Sequence, residues 1–271
     1  MKLTFIGGGN MARALIAGLK MQQFTMTDIA VIEPDETKHE ALRTQYGVIV
    51  TETLKDLTSS DVVILAVKPQ HLAQLAKNLA PILSNQLIIS IAAGVQLKEL
   101  SQWLNNYDII VRAMPNTPAQ IQSGITGLYA LPKVSSTQIA MADQVLSAVG
   151  TTLWLESEQK LNAVTAISGS GPAYVFYFIE ALEAAAVSLG LNKTEAKQLS
   201  IATFKGAGLL ADASDVSVSI LREQVTSRGG TTEQGLISLQ KSHVKEAIML
   251  AAKKAYERAI IIGQELAELK K

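Results

Sequence analysis

The chain has no cysteine, which excludes a disulfide framework, a thiolate nucleophile and any Cys-ligated metal. It has no surplus of charge: 24 Lys and Arg balance 24 Asp and Glu with no basic run, so nucleic acid is not expected as a partner. It also lacks a long hydrophobic run. The strongest, VVILAV after Asp61 and LIISIAAGV from Leu87, fall far short of a bilayer, so no membrane partner is expected. Histidine is scarce. His39, His71 and His243 are scattered without metal-ligand spacing or an acidic partner; each reads as a solvated surface residue, and no metal is expected. The apolar stretch behind Lys2 runs into three glycines and Asn10, which suits a nucleotide loop better than a signal peptide. These absences leave a soluble, cytoplasmic protein whose 271 residues suffice for a real core and one or two domains.

What is present begins with KLTFIG, a short apolar strand, followed by GGGNMARALIAGL. Gly7, Gly9 and Ala12 fit G-x-G-x-x-G/A, and Met11, Leu15 and Leu19 give the next segment a helical apolar stripe. The first glycine makes the tight turn, the second lets a pyrophosphate approach the backbone, and the small third residue lets helix and strand pack closely. A second strand, Ile29 to Ile32, ends at Glu33, near the place, about 20 residues on, expected of a ribose-binding carboxylate. Gly7, Gly9, Asn10, Met11 and Glu33 are therefore expected to hold a dinucleotide.

The first half goes on alternating strand and helix. A polar helix over about 35–45 precedes a strand near Ile49; buried-type strands follow at 61–67, 87–91 and 108–111, with a helix over 70–79. Shorter strands at 126–131 and 151–155, with a helix over 137–149 between them, finish the sheet. This rhythm predicts an α/β fold: a Rossmann-type, doubly wound parallel sheet with ligands at the carboxyl ends of its strands. The loops at those ends carry Lys68-Pro69, the AAG that includes Ala93 and Gly94, and MPNTP with Asn116 held between two prolines. These residues complete the expected cofactor set.

After Leu155 the strand signal stops and helix follows helix. A boundary near 156–162 divides a dinucleotide-binding domain, 1–157, from an all-α domain, 158–271. The helix expected from Pro172 is apolar nearly all round and must be enclosed by others. The last helix carries a seam of Val244, Ile248, Ala251, Ala255, Ala259, Ile262, Leu266 and Leu269, which suits a second subunit. ISGSG before Pro172 reads as an ordinary helix opening with proline in the first turn. Ser227–Leu236, SRGGTTEQGL, reads as a glycine turn into a helix, with Thr231 and Gln234 spaced as a capping box and the Thr232 hydroxyl left over. Bare amides at such a start, with the dipole behind them, favour a small anion.

Taken in order, FIGGGNMA, AVKPQ, IAAGV, MPNTP, ISGSGPAYVF and VTSRGGTT resemble the pyrroline-5-carboxylate reductase family over nearly the whole chain. The resemblance implies reduction of 1-pyrroline-5-carboxylate to L-proline, the last step of proline biosynthesis, by hydride from NADH or NADPH. It implies a homodimer through interleaved C-terminal helices, in such families often a decamer of five dimers. It also implies that the backbone amides of Gly230 and Thr231 and the Ser227 hydroxyl hold the substrate carboxylate, while Thr232 hydrogen-bonds the ring nitrogen and is the catalytic candidate. Arg228 stands where many relatives have proline, and Glu33-Pro34-Asp35 where many carry Ser or Asn-Arg. Glu33 suits the ribose hydroxyls of NADH and repels a 2′-phosphate, by up to about 4 kcal/mol for a close charge pair near a surface. NADH is therefore expected to be preferred, unless Lys38 folds back across the loop. Three other readings stay open: a reductase of another cyclic imine, a hydroxyacid dehydrogenase using Lys160, and a nucleotide-sensing protein without turnover.

Overall fold

The computed structural model describes residues 1–268, apart from the side chains of Lys55 and Asp56. Eight strands form one sheet in the order β3-β2-β1-β4-β5-β6-β7-β8. They are β1 (Leu3–Ile6), β2 (Ile29–Ile32), β3 (Ile49–Thr51), β4 (Val62–Leu65), β5 (Leu87–Ser90), β6 (Ile110–Met114), β7 (Gly124–Ala130) and β8 (Gly150–Trp154). The first six are parallel, and β1, β4 and β5 are buried at every residue, as unbroken apolar runs require. β7 departs from the parallel expectation and runs antiparallel to β6. The reason is the link: it holds only the short 3-10 turn Thr117–Ile121, too little chain for a parallel crossover. β6 also begins and ends later than expected, and its run to Met114 places Arg112 inside the sheet. Its buried guanidinium is 2.8 Å from Glu158, whose carboxylate also accepts the Leu97 amide at 2.7 Å.

Helices α1 (Asn10–Met21), α2 (His39–Tyr46), α3 (Pro69–Leu79), α4 (Leu97–Trp103) and α5 (Ser136–Leu146) connect the strands. Alternate residues of β4 feed two cores. Val62 and Ile64 pack with Leu15, Leu19, Leu42 and Val145; Val63 and Leu65 pack with Leu72, Leu79, Leu97 and Leu100. The expected 35–45 helix is split into a 3-10 turn, Glu36–Lys38, and α2. On α1, Gly18 presses against the chain before β8: a Cβ placed there would lie 2.1 Å from the Ala148 carbonyl oxygen.

The remainder is helical: α6 (Lys160–Val164), a π turn (Thr165–Gly169), α7 (Gly171–Ser188), α8 (Lys193–Asp212), α9 (Val218–Gln224), α10 (Thr231–Lys241) and α11 (Val244–Glu268). The chain forms two compact units, one of Met1–Ser170 with the segment from Ala255, the other of Gly171–Lys254. In the first, the end of α11 joins the core beside β5, with Leu266 buried and Ile262 partly so. In the second, only Ala196 and Ser200 are buried. No residue of α7 is buried, and Phe176 and Tyr177 are 61% and 70% exposed, so one copy of the chain does not supply the enclosure this apolar helix requires. Of the α11 seam, Leu269 lies outside the described residues. Among the described residues, no helix is long and apolar enough to cross a membrane.

Candidate active site

The loop from β1 to α1 is shaped by what each glycine must avoid. Gly7 takes φ +99°, and a Cβ there would lie 2.7 Å from the Ala66 carbonyl oxygen. Its amide donates to the Ile32 carbonyl at 2.8 Å. Gly9 caps α1 with open space where a side chain would stand, and Asn10 is exposed beside it while Met11 is half-buried. A phosphate fits against such a bare helix start, since the amides and the dipole both favour an anion. Gly8 passed unnoticed in the sequence, yet its amide donates to Glu33 Oε2 at 2.9 Å, and Arg13 Nε donates to its carbonyl at 3.0 Å. The three consecutive glycines were the available signal.

Glu33 sits at the end of β2, only 5% exposed. Besides Gly8, its carboxylate accepts the Asp35 amide at 3.0 Å. Lys38 does fold back: its ammonium stands 3.4 Å from Glu33 and 3.1 Å from Asp35. The Thr37 hydroxyl first, then Lys38, hold the Asp35 carboxyl below the ordinary carboxylate range, and Asp35 in turn raises Lys38. His39 corrects the sequence reading. It is buried, with Nε2 2.6 Å from the Glu33 carbonyl oxygen, because α2 begins there and turns the ring beneath the β2 end. His71 and His243 are exposed.

The next loops meet the same edge of the sheet. Exposed Lys68 caps α3 with Pro69 in its first turn. Ala93 is exposed; Gly94, at φ +83°, would bring a Cβ within 2.6 Å of Ile262 on α11. Asn116 is held by long-range bonds: Oδ1 accepts the Ile125 amide at 3.0 Å, and Nδ2 donates to the Ser168 carbonyl at 3.3 Å and hydroxyl at 3.1 Å. The ISGSG segment is therefore not the simple helix opening it resembles. It ends the π turn that continues α6. Pro172 has no amide hydrogen for the Ser168 carbonyl four residues back, and Asn116 supplies the missing donor. Lys160 forms a surface ion pair, 2.6 Å from Glu156, and so does not have the setting of a catalytic lysine.

In the other unit, the segment before α10 turns at Gly229, φ +74°. Gly230, not Thr231, caps the helix, and no capping box forms with Gln234. The turn at Gly229 starts the helix one residue early, so Glu233 becomes the third helical residue and reaches back to the Gly229 amide at 2.7 Å. The Gly230 amide donates to the Ser227 carbonyl at 3.0 Å. What remains open is a cluster of donors. The amides and hydroxyls of Thr231 and Thr232 have no partner among the described residues; both side chains are exposed, as are Ser227 and Arg228. Among the described residues, no group of three or more acidic or histidine side chains is placed to hold a metal.

Two family models match the chain. Residues 158–261 match pyrroline-5-carboxylate reductase dimerisation, and residues 2–94 match NADP oxidoreductase, coenzyme F420-dependent. The pyrroline-5-carboxylate reductase of Pseudomonas aeruginosa is 40% identical over 269 residues, covering 97% of this chain and 98% of that one. That of Vibrio alginolyticus is 37% identical, with 95% and 96% covered. Among solved structures, the Coxiella burnetii pyrroline-5-carboxylate reductase superposes with a TM-score of 0.92 at 39% identity, covering 96% and 98%. The Plasmodium falciparum pyrroline carboxylate reductase with NADP bound gives 0.85 at 30% identity, covering 97% and 98%. Identity at this level over nearly the full length of each relative, on the same fold and with the dimerisation segment matched, shows that the chain belongs to the pyrroline-5-carboxylate reductase family.

Proposed function

We propose that this chain reduces 1-pyrroline-5-carboxylate to L-proline with hydride from NADH or NADPH, as a cytoplasmic enzyme. Residues 1–157 are the dinucleotide-binding part and 158–271 the substrate-binding and dimerising part. The observation that carries the assignment is the head of α10, where two amides and two hydroxyls have no partner among the described residues. In place of the expected Gly230 amide, which donates to the Ser227 carbonyl, the Thr232 amide joins that of Thr231 and the Ser227 hydroxyl as the hold on the carboxylate. The Thr232 hydroxyl then meets the ring nitrogen. A protonated imine carries its own positive charge, so hydride attack needs no strong external acid, and alignment supplies most of the acceleration.

The cofactor, when bound, supplies the hydride. Gly7, Gly9, Asn10 and Met11 would hold its pyrophosphate, Glu33 would meet its adenosine ribose, and the loops of Lys68-Pro69, Ala93-Gly94 and Asn116 would serve its other end. The open face over Gly9 and the donor-rich start of α1 fit such a group. Oxidation of NADH and NADPH, followed in parallel with pyrroline-5-carboxylate and with proline identified as product, tests the reaction. Tight cofactor binding with no turnover would defeat it. We also propose that NADH is preferred because of the Glu33 charge. Glu33→Ser should raise the relative use of NADPH about tenfold, less than a bare charge pair would give, because Lys38 already offsets part of the charge. An unchanged ratio of specificity constants removes Glu33 from the argument.

The protomers pair through α7 and the first half of α11, and five such dimers form a decamer. Support comes from the exposed apolar groove of Tyr174, Tyr177, Phe178, Val244, Ile248 and Ala251, and from a unit with almost no core of its own. Phe176→Asp should weaken the dimer about 100-fold, as loss of a buried aromatic anchor does. Sedimentation would then show monomers with little activity; an intact oligomer would move the interface elsewhere.

A further inference from the structure

We propose that Lys38 sets the cofactor selectivity of this chain: its ammonium leaves Asp35 to meet the 2′-phosphate of NADPH while still covering Glu33. The inference rests on the reading that the end of β2 lies at the adenosine ribose. Glu33 itself cannot move out of the way. Its two oxygens are held by the Gly8 and Asp35 amides, and the side chain is buried. Its charge is therefore fixed in place, and Lys38 is the one cation paired with it among the described residues.

Lys38 is differently placed. Its side chain is 38% exposed, and its nearer partner, Asp35, is 42% exposed. An exposed ion pair of this kind is worth little and exchanges readily. Asp35 moreover does not need it. The Thr37 amide donates to the Asp35 carboxylate at 3.1 Å and the Thr37 hydroxyl donates to the same oxygen, so the 3-10 turn stays capped when the lysine departs. A phosphate monoester carries nearly twice the charge of a carboxylate and three acceptor oxygens. The ammonium therefore gains by exchanging Asp35 for it. With NADH no such anion arrives, and Lys38 stays across Glu33 and Asp35. One side chain thus tempers the repulsion from Glu33 and gives the second cofactor a contact.

The test is Lys38→Met, with Lys38→Arg as the conservative variant and Glu33→Ser in parallel, assayed as purified full-length chains with both cofactors. In Lys38→Met the ratio of NADPH to NADH specificity constants should fall about tenfold, as loss of one charged hydrogen bond to a phosphate predicts. Lys38→Arg should restore most of it. Competition by adenosine 2′,5′-bisphosphate should weaken in the same proportion relative to AMP. An equal loss with both cofactors would make Lys38 only a brace of the loop and overturn the proposal. An unchanged ratio in Lys38→Met, with a shifted one in Glu33→Ser, would also overturn it and leave the ribose reading standing. If neither variant shifts the ratio while turnover persists, the ribose does not lie here and both fall.

Discussion

Gly18→Ala should destabilise the fold by about 3 kcal/mol, although alanine is the better helix former by about 1 kcal/mol. The sign is decided by space. An added methyl would stand 2.1 Å from the Ala148 carbonyl oxygen and 2.8 Å from its carbon, both backbone atoms. Relief requires α1 to retreat by roughly an ångström, a typical small-to-large adjustment in a packed core. The same helix face buries Leu15 and Leu19 completely, so retreat loosens their packing as well. The thermal midpoint should fall by roughly 10 °C, and cofactor affinity should drop with it because the glycine loop heads the displaced helix. Urea and thermal unfolding of the purified variant decide the matter. A variant as stable as its parent would mean that α1 is not pinned to the β8 approach.

Thr232→Val should lower kcat/KM for the imine about 100-fold, the loss that accompanies one hydrogen bond to a charged partner. Valine keeps the branched shape and removes only the hydroxyl. That hydroxyl bonds nothing among the described residues, and the helix head is held instead by Glu233 on the Gly229 amide, so unfolding should be unaffected within about 0.5 kcal/mol. Cofactor affinity, measured by fluorescence quenching, should stay with the parent, which separates a role at the substrate from a general one. If Thr231→Val is the more damaging change, the two threonines exchange roles. If neither matters, the open donors at α10 serve another purpose.

Much of the sheet was legible because strands buried on both faces must be unbroken apolar runs, as VVIL of β4 and LIIS of β5 are. That β2 ends at Glu33 was legible for the same reason; that its carboxylate braces the Gly8 and Asp35 amides was not, because the sequence does not show which backbone the side chain turns towards. Strand direction was not. Nothing in the alternation of β7 tells that it runs against β6; only the length of the turn between them does. The cap of α10 moved by one residue because two acceptors compete at its start and Glu233 prevails over Gln234. His39 lay beyond local pattern, as did the Asn116 clamp on Ser168, which spans 52 residues. Pairings of that kind are set by the finished fold.

The seat of α11 on the β5 loop bears on how the protein is made. Leu266 and Ile262 complete a core whose other members, among them Ala92, Val95, Leu97 and Leu100, are synthesised far earlier. At cellular elongation rates a ribosome needs roughly 10 to 30 seconds to produce the chain between them. Throughout that interval the nascent nucleotide-binding half carries an uncovered apolar strip and an unsupported Gly94. It cannot mature on its own; it waits, open to chaperones and to its neighbours on the polysome, for α11 to emerge.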